Sequence, residues 1–500
     1  MTMSPLYVVI DLGSNSFHML ITRLVANSVQ TVDRIKRKVR LASGLNNQNE
    51  LSNEAMLRGL ECLNFFAERL QDIPPDNIRI VATATLRLAT NSQDFINKAE
   101  QVLGHKIVVL SGIQEAETIY LGVAHTSASE DKRLVLDIGG ASTELIVGNA
   151  FDAIKVSSVN MGCVTYNQQY FIGGRLSKEN MDQAKDAAKK ILAPLVFEYK
   201  KIGWQSVLSS SGTIQALAEI LHANHQPAIV SLSYLYSLEN ALINSKNIDN
   251  VSITGLTIDR QPVFASGLAI LIAVFESLEL TELQLSSGAL REGLLYEMLP
   301  NMRQMSIRQR TVNSIAERFH VDKEHARRVS TQAQSIFDHF SKHWPLKKDN
   351  SFKLLLASCA LHEIGLLLEF KNQQDHGAYI IKNADLPGFD QVDKQLLTTF
   401  IQLQKSNIDL TTLKEQTTTS YDNACYLLII LRLAIIFCQR RNDNELPTFN
   451  TDVSNRNISL RLPQKWLKAH PLIIDELNQE SLYLSTIGMS LTVLDDLNVD

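Results

Sequence analysis

Asp137-Ile-Gly-Gly-Ala-Ser-Thr143 follows the apolar run Leu134–Leu136, and much earlier Asp11-Leu-Gly-Ser-Asn-Ser16 follows Tyr7–Ile10 in the same way. Each stretch reads as a buried strand ending in an acid, then a Gly/Ser/Thr turn, then a second apolar run (Phe17–Leu24; Leu145–Val147). A turn of this composition exposes backbone N–H groups and hydroxyls, which suits an anion such as phosphate. The Asp at the strand end can hold a metal ion or a water beside that anion. One such turn is a common connection after a buried strand. Two in matching contexts predict two related lobes that grip a phosphorylated ligand from both sides.

Outward from the first turn, strands are predicted at Tyr7–Leu12, Phe17–Leu24, Ser28–Val39, Ile78–Ala84 and Lys106–Leu110, with helices at Asn53–Gln71 and Ser92–Leu103. The helix at Asn53 is read with that Asn as its cap and with Met56, Leu60, Leu63 and Ala67 at helical spacing. The pattern restarts beyond residue 120, as an ancient duplication would. From about Ile307 helical periodicity takes over, glycine becomes rare, and strands are expected again only in the last fifty or so residues. The polar run Asn301–Arg310 marks the change. The reading is therefore an α/β lobe over 1–120, a second over 121–304, a mainly helical domain over 305–445 and a small α+β domain over 446–500.

Composition narrows the class. The chain has 500 residues, too many for one ordinary core. A net charge of −5 argues against a general DNA or RNA binder. The five cysteines are scattered with no CxxC pair, and predict reduced core residues in a cytoplasmic protein. No cleavable leader is expected from the N-terminal pattern. Val263–Phe275 and Leu427–Cys438 are the longest apolar runs, read as too short for a bilayer, with Arg432 interrupting the second. No membrane partner is expected.

Several residues can carry chemistry. Ser209-Ser-Ser-Gly-Thr213 links an apolar pair to a predicted helix and forms an anion site by geometry, with Gly212 and Thr213 at the helix start; plain Ser/Thr capping explains it equally well. Ser111 and Gln114 fit a capping box, which sets Glu115 and Glu117 in the first two turns of a helix. Glu115 there can serve as a general base, or merely complement the helix dipole. Asp137 and Glu144 bracket the second turn and suit Mg²⁺; Glu144 also reads as an exposed strand position. Asp11 adds a more distant contact. Arg87 in Ala82-Thr-Ala-Thr-Leu-Arg87 offers a fork matched to phosphate, or is a surface residue. Arg291, in Ser287-Gly-Ala-Leu-Arg-Glu-Gly293, meets either phosphate or a carboxylate. Arg34, Lys36, Lys38 and Arg40 fall on one face of a strand and attract a polyanion, or protect an edge. In the helical part, Leu361-His-Glu-Ile-Gly365 and Asp375-His376 look like metal-phosphohydrolase fragments; without a full ligand set, His362, Glu363 and His376 are assigned a structural role.

These motifs, with Met161-Gly-Cys-Val-Thr165, Phe264–Leu271 and Asp385–Phe389, resemble the exopolyphosphatase/guanosine pentaphosphate phosphatase family in order along nearly the whole chain. The resemblance implies two actin-like/sugar-kinase ATPase-type (ribonuclease H-like) lobes followed by an HD-like helical domain. It implies removal of terminal phosphate from polyphosphate or guanosine pentaphosphate, with Mg²⁺, by a homodimer. Residue by residue it makes Glu115 the water-activating base, Asp137 and Glu144 the metal-linked acids, and Gly13, Ser14, Asn15, Ser16, Gly139, Gly140 and Ser142 the phosphate cradles; it also supports Arg87 as a phosphate ligand. Where the family reads acids followed by Ala-Arg, this chain has Ile113-Gln-Glu-Ala-Glu117, so Glu117 replaces an arginine beside the base. Gly-Gly-Ala in the second turn and the Ala82–Arg87 stretch lean toward the guanosine pentaphosphate branch. The rivals are an exopolyphosphatase, a kinase of the same fold, which would need an adenosine pocket and an acceptor-activating Asp, and a non-catalytic sensor.

Overall fold

A computed structural model describes residues 4–46, 48–127, 131–299, 306–442, 450–454 and 456–496. Part of the polar run Asn301–Arg310, and the boundary expected at 445/446, lie outside these described residues. The chain divides into two compact units, parting between residues 305 and 306.

The first unit holds two sheets. Strands β1 (Leu6–Leu12), β2 (Ser16–Val25), β3 (Ser28–Lys38), β4 (Ile78–Ala82) and β5 (Val108–Val109) form one, in the order β3-β2-β1-β4-β5. Strands β6 (Arg133–Ile138), β7 (Thr143–Asn149), β8 (Asp152–Val159), β9 (Ser206–Ser209), β10 (Ile229–Ser231) and β11 (Glu282–Leu285) form the other, in the order β10-β11-β9-β6-β7-β8. With β10 set aside, the two orders are the same: an antiparallel three-strand meander, then two parallel strands. The duplication read from the hairpins is thus present in the topology. Val8–Ile10 and Leu134–Leu136 are buried along consecutive positions, as strands covered on both faces must be.

The helices of this unit are α1 (Asn53–Glu68), α2 (Ala84–Leu88), α3 (Ser92–Leu103), α4 (Gly112–Ala124), α5 (Cys163–Tyr170), α6 (Lys178–Ile202), α7 (Gly212–Ala223), α8 (Leu232–Ser245), α9 (Gln261–Leu278) and α10 (Leu290–Glu297). Residue 120 lies inside α4, which packs on β7 and β8 of the second sheet, while α10 packs on β1 of the first. A shared core joins Val9 and Val81 to Val135 and Ile146 through Ile119, Leu290 and Leu294. The α4–α10 crossing is close: a Cβ at residue 293 would lie 1.8 Å from the Thr118 carbonyl oxygen, so only glycine fits there.

Three local expectations change. The cap of α1 is Ser52, whose hydroxyl accepts from the Ala55 N–H, leaving Asn53 as the first helical residue. The strand expected to reach Ala84 ends at Ala82, because Thr83 takes the N-cap position of α2, which starts at Ala84 and carries Arg87 in its last turn. Arg40 lies past the end of β3 with φ 53°, so the alternating basic face stops at Lys38. Among the described residues α9 is long and apolar enough to cross a bilayer by composition, and it is longer than the run read from sequence; it is the buried central helix of the second lobe. All five cysteines are free, four of them buried.

In the second unit, α11 (Ile307–Arg318), α12 (Lys323–Phe340), α13 (Asn350–Leu361), α14 (Gln373–Asn383), α15 (Gln391–Leu403), α16 (Leu410–Glu415) and α17 (Tyr421–Phe437) precede a small sheet of β12 (Asn450–Ser454), β13 (Asn457–Pro463) and β14 (Ser490–Asp496) with α18 (Gln464–Ala469) and α19 (Pro471–Ser485). Ile458, Leu460 and Leu477 share one core with Leu427–Leu431 of α17. Arg432 is buried there, its guanidinium held by both Glu480 oxygens at 2.7 Å.

Candidate active site

The two hairpin turns meet. A Cβ at residue 140 would lie 2.6 Å from the Ser14 Cβ, so glycine at 140 lets one turn touch the other. Around this contact a cavity of about 380 Å³ is lined by both turns (Gly13–Ser16; Gly139, Gly140, Ser142), by Glu115, and by Ser210–Thr213 at the start of α7.

The backbone explains why both turns suit an anion. In the first, the Asn15 carbonyl accepts from the Val39 and Arg40 N–H groups and the Ser14 carbonyl from Ala42. In the second, the start of α5 does the same work: Cys163 N–H binds the Gly139 carbonyl at 2.9 Å, and Val164 N–H the Gly140 carbonyl at 2.8 Å. With the carbonyls of Ser14, Asn15, Gly139 and Gly140 held in this way, the N–H groups of Ser14, Asn15, Gly140 and Ala141 make no hydrogen bond among the described residues. Such paired N–H groups form an anion nest. The third edge is the N-terminus of α7, a 12-residue helix capped by Ser211, where N–H groups and the helix dipole favour negative charge.

Acids lie at the base of the cavity. Asp11 and Asp137 end the two central strands, and burial pushes each carboxyl up to about 7, with Glu115 adding repulsion and Arg291 opposing it. The Asp11 Oδ1 is shut from solvent without a hydrogen-bond partner. Glu144 sits directly across the ladder from Asp137, fully buried rather than exposed. Its Oε1 accepts from the Ser158 hydroxyl at 2.8 Å, while Oε2 has no partner and faces no cation. Glu144 is absent from the cavity lining, so it acts behind Asp137, and burial raises its pKa well above the usual carboxylate range. Buried carboxylates with orphaned oxygens fit a divalent cation, the group that relieves such a cluster.

Glu115 is placed by the sequence signal that suggested it: Ser111 and Gln114 form the reciprocal capping box at the start of α4. Burial raises its pKa, and Arg87 opposes that shift. Arg87 does not line the cavity. Its Nη1 donates to the Glu115 Oε2 at 2.9 Å and the Leu110 carbonyl at 2.8 Å, so here it braces Glu115 from behind instead of facing the cavity where a phosphate would sit. Glu117, the acid in place of an arginine, is exposed on another face of α4 and is not among the charges acting on Glu115.

Cations line the rest. Arg34, Lys36, Arg260 and Arg291 all reach the cavity. Lys38 is spent on Asp259, so half of the predicted basic face serves the site. Lys36 is held below the usual lysine value by burial first and then by Arg260. Arg291 Nη1 stands 3.1 Å from His18 Nδ1; guanidinium only donates, so that nitrogen accepts and the ring is neutral. Burial, then Arg291, Lys36 and Arg260, push His18 down to about 3. Like charges held this close call for a polyanion between them. Arg260 and His18 escaped the sequence reading. His18 had a signal, since the tight turn at Gly13–Asn15 pairs residue 18 with Asp11; Arg260, just before α9, had none.

Two family models match this chain: the Ppx/GppA phosphatase family over residues 20–302, and Ppx/GppA phosphatase domain III over 307–481. The chain belongs to the Ppx/GppA phosphatase family. It is 48% identical over 490 residues to a guanosine-5'-triphosphate,3'-diphosphate pyrophosphatase of Photobacterium profundum, covering 98% of each chain. A protein of the same name from Pseudoalteromonas translucida is 47% identical over 97% of this chain and 98% of its own. The crystal structure of an exopolyphosphatase from Cytophaga hutchinsonii aligns with TM-score 0.55 at 25% identity, over 59% of this chain and 98% of that one. In this chain the Met161–Thr165 segment supplies the N–H groups, from Cys163, Val164 and Thr165, that hold the carbonyls of the second turn.

Proposed function

We propose that this enzyme is a phosphoanhydride hydrolase that removes the 5'-terminal phosphate of guanosine pentaphosphate, giving guanosine tetraphosphate and phosphate. The carrying observation is the contact of two N–H cradles over buried acids, ringed by Arg34, Lys36, Arg260 and Arg291. The near full-length relatives named for that nucleotide support the substrate. Exopolyphosphatase activity is the alternative, and the basic lining suits that polyanion too.

In this reading the Glu115 carboxylate, held by Arg87, takes a proton from water as the water oxygen attacks the terminal phosphorus in line. The bond from that phosphorus to the bridging oxygen breaks, guanosine tetraphosphate leaves with the electron pair on that oxygen, and the attacked phosphorus departs as phosphate carrying the water oxygen. The turns and the α7 N-terminus donate to the equatorial oxygens, in an arrangement set before substrate arrives. Arg260 and Arg291 hold the charge of the rest of the phosphate chain. Asp137 and Asp11 would hold Mg²⁺, with Glu144 behind Asp137 fixing its carboxylate. When bound, Mg²⁺ supplies positive charge to phosphate oxygens. We also read the helical part of the second unit as HD-like, supported by the His362–Glu363 pair at the end of α13.

The test is phosphate release from guanosine pentaphosphate and from long-chain polyphosphate under the same conditions. A higher kcat/KM for the nucleotide is the expected result. A higher value for polyphosphate overturns the substrate assignment while leaving the hydrolase in place; release from neither overturns both.

A further inference from the structure

In the helical unit, three metal-ligating side chains meet. His325 lies in the first turn of α12, His362 caps the end of α13 and Glu363 follows it; one ligand atom of each lies within 4.8 Å of the others. Both imidazoles are buried, His325 at 3% exposure and His362 at 4%. The Nδ1 of His362 donates to the Cys359 carbonyl at 2.8 Å, so its Nε2 keeps a free lone pair. That Nε2 is buried without a hydrogen-bond partner, and so is the Nδ1 of His325. For His362, a carbonyl fixing one ring nitrogen while the other is left open is the arrangement that orients a metal-bound histidine; His325 turns its Nε2 toward the Glu363 Oε1, 3.9 Å away. Burial lowers the pKa of both rings, to about 4 for His362, so they are neutral and able to ligate.

A cation is already favoured here. The Arg441 guanidinium bridges Glu363 and Asp322, whose carboxylate caps α12. His376, the other histidine that the sequence singled out, lies elsewhere, 3.6 Å from Glu369.

We propose that His325, His362 and Glu363 form a second, separate metal site, for a borderline divalent transition ion such as Zn²⁺. Two imidazole nitrogens and one carboxylate suit that class, whereas Mg²⁺ prefers oxygen alone. Ligand atoms at about 2.0–2.1 Å from a tetrahedral ion stand about 3.4 Å apart. The three ligand atoms must therefore draw together from separations of up to 4.8 Å on binding. Arg441 competes for Glu363 and must release it on binding. The ion ties the start of α12 to the end of α13, and leaves a fourth position for water.

The test uses tag-free, full-length protein, stripped with chelator and titrated with Co²⁺. Tetrahedral Co²⁺ on imidazole absorbs strongly in the visible, whereas six-coordinate Co²⁺ on the carboxylates of the phosphate pocket absorbs weakly. One strongly absorbing Co²⁺ per chain is expected, displaced by equimolar Zn²⁺. The band disappears in His325→Ala and weakens in Glu363→Gln, while Arg441→Gln tightens binding several-fold. Glu363→Gln and Arg441→Gln change groups near the surface, and they decide the matter even if His325→Ala fails to fold. No strong band in the wild-type chain, or Co²⁺ affinity unchanged in both Glu363→Gln and Arg441→Gln, overturns the proposal.

Discussion

The first and second hairpins share their topology, their glycine turn and their terminal Asp, yet differ at the residue facing that Asp across the ladder. Asp11 pairs with His18, and Asp137 with Glu144. His18 is neutral and receives a hydrogen bond from Arg291, so the first hairpin is backed by a cation. Glu144 doubles the acid at the second hairpin and leaves an oxygen unpartnered. One repeated topology thus carries two electrostatic settings through a single cross-strand position: a neutral imidazole backed by Arg291 beside Asp11, and a second buried acid beside Asp137.

The largest expected effect tests what both hairpins serve. Glu115→Gln should lower kcat by roughly 10²–10⁴-fold, the range for a general base, with substrate binding by calorimetry retained. Unchanged turnover would remove Glu115 as the base. The asymmetry itself is broken next. Glu144→Gln should raise the Mg²⁺ concentration needed for activity by roughly 10–100-fold, as loss of a residue supporting a metal ligand does. His18→Gln should leave that requirement alone and raise KM. Equal metal dependence in the two variants would mean that the hairpins do not differ in this way.

A related outcome concerns stability. The Asp137 carboxyl is raised to about 7 in the fold, above its ordinary value of 3.8, so the folded chain binds more protons than the unfolded one between those values. Metal-free stability should therefore fall as pH rises from about 4 through 7, by up to about 1.4 kcal/mol per unit for this group. Asp137→Asn should flatten that slope in denaturant melts and remove the stabilisation by Mg²⁺.

The contact between the hairpins is tested by Gly140→Ala, which sets a methyl group against the Ser14 Cβ. Overpacking of this kind costs about 1–3 kcal/mol, read as a lower Tm and kcat/KM. Adding Ser14→Gly should recover part of the loss; simple additivity would show that the turns do not meet. The smallest effect is expected from Arg87→Lys. The pKa of Glu115 should rise as its brace weakens, and the acid limb of the kcat/KM profile should move to higher pH, since the base works only when ionised.

Much of this was legible in sequence because it is local. The turns, the capping box that sets Glu115 and the basic run on β3 are each written within a few consecutive positions. Arg87 was read as a phosphate ligand because its bond to Glu115 spans 28 positions and no short pattern carries it. The alternation of Arg34, Lys36, Lys38 and Arg40 was correct as a strand period, but the period cannot say that Asp259 takes Lys38 or that the strand ends before Arg40. Glu144 read as a possible surface acid because burial of a charge shows only once both sheets and α4 are in place. His325 and His362 look unrelated along the chain and are joined only by the packing of α12 on α13.

The crossing of α4 and α10 has a consequence for folding. Each sheet borrows the helix that covers it from the far side of the duplication, so neither half of residues 4–299 can hide its apolar surface alone. A fragment ending at residue 120 would leave β1 without α10, and one starting at 121 would leave β7 and β8 without an intact α4. The two lobes should therefore melt in a single cooperative step, and their many distant contacts predict slow refolding for the size of the unit.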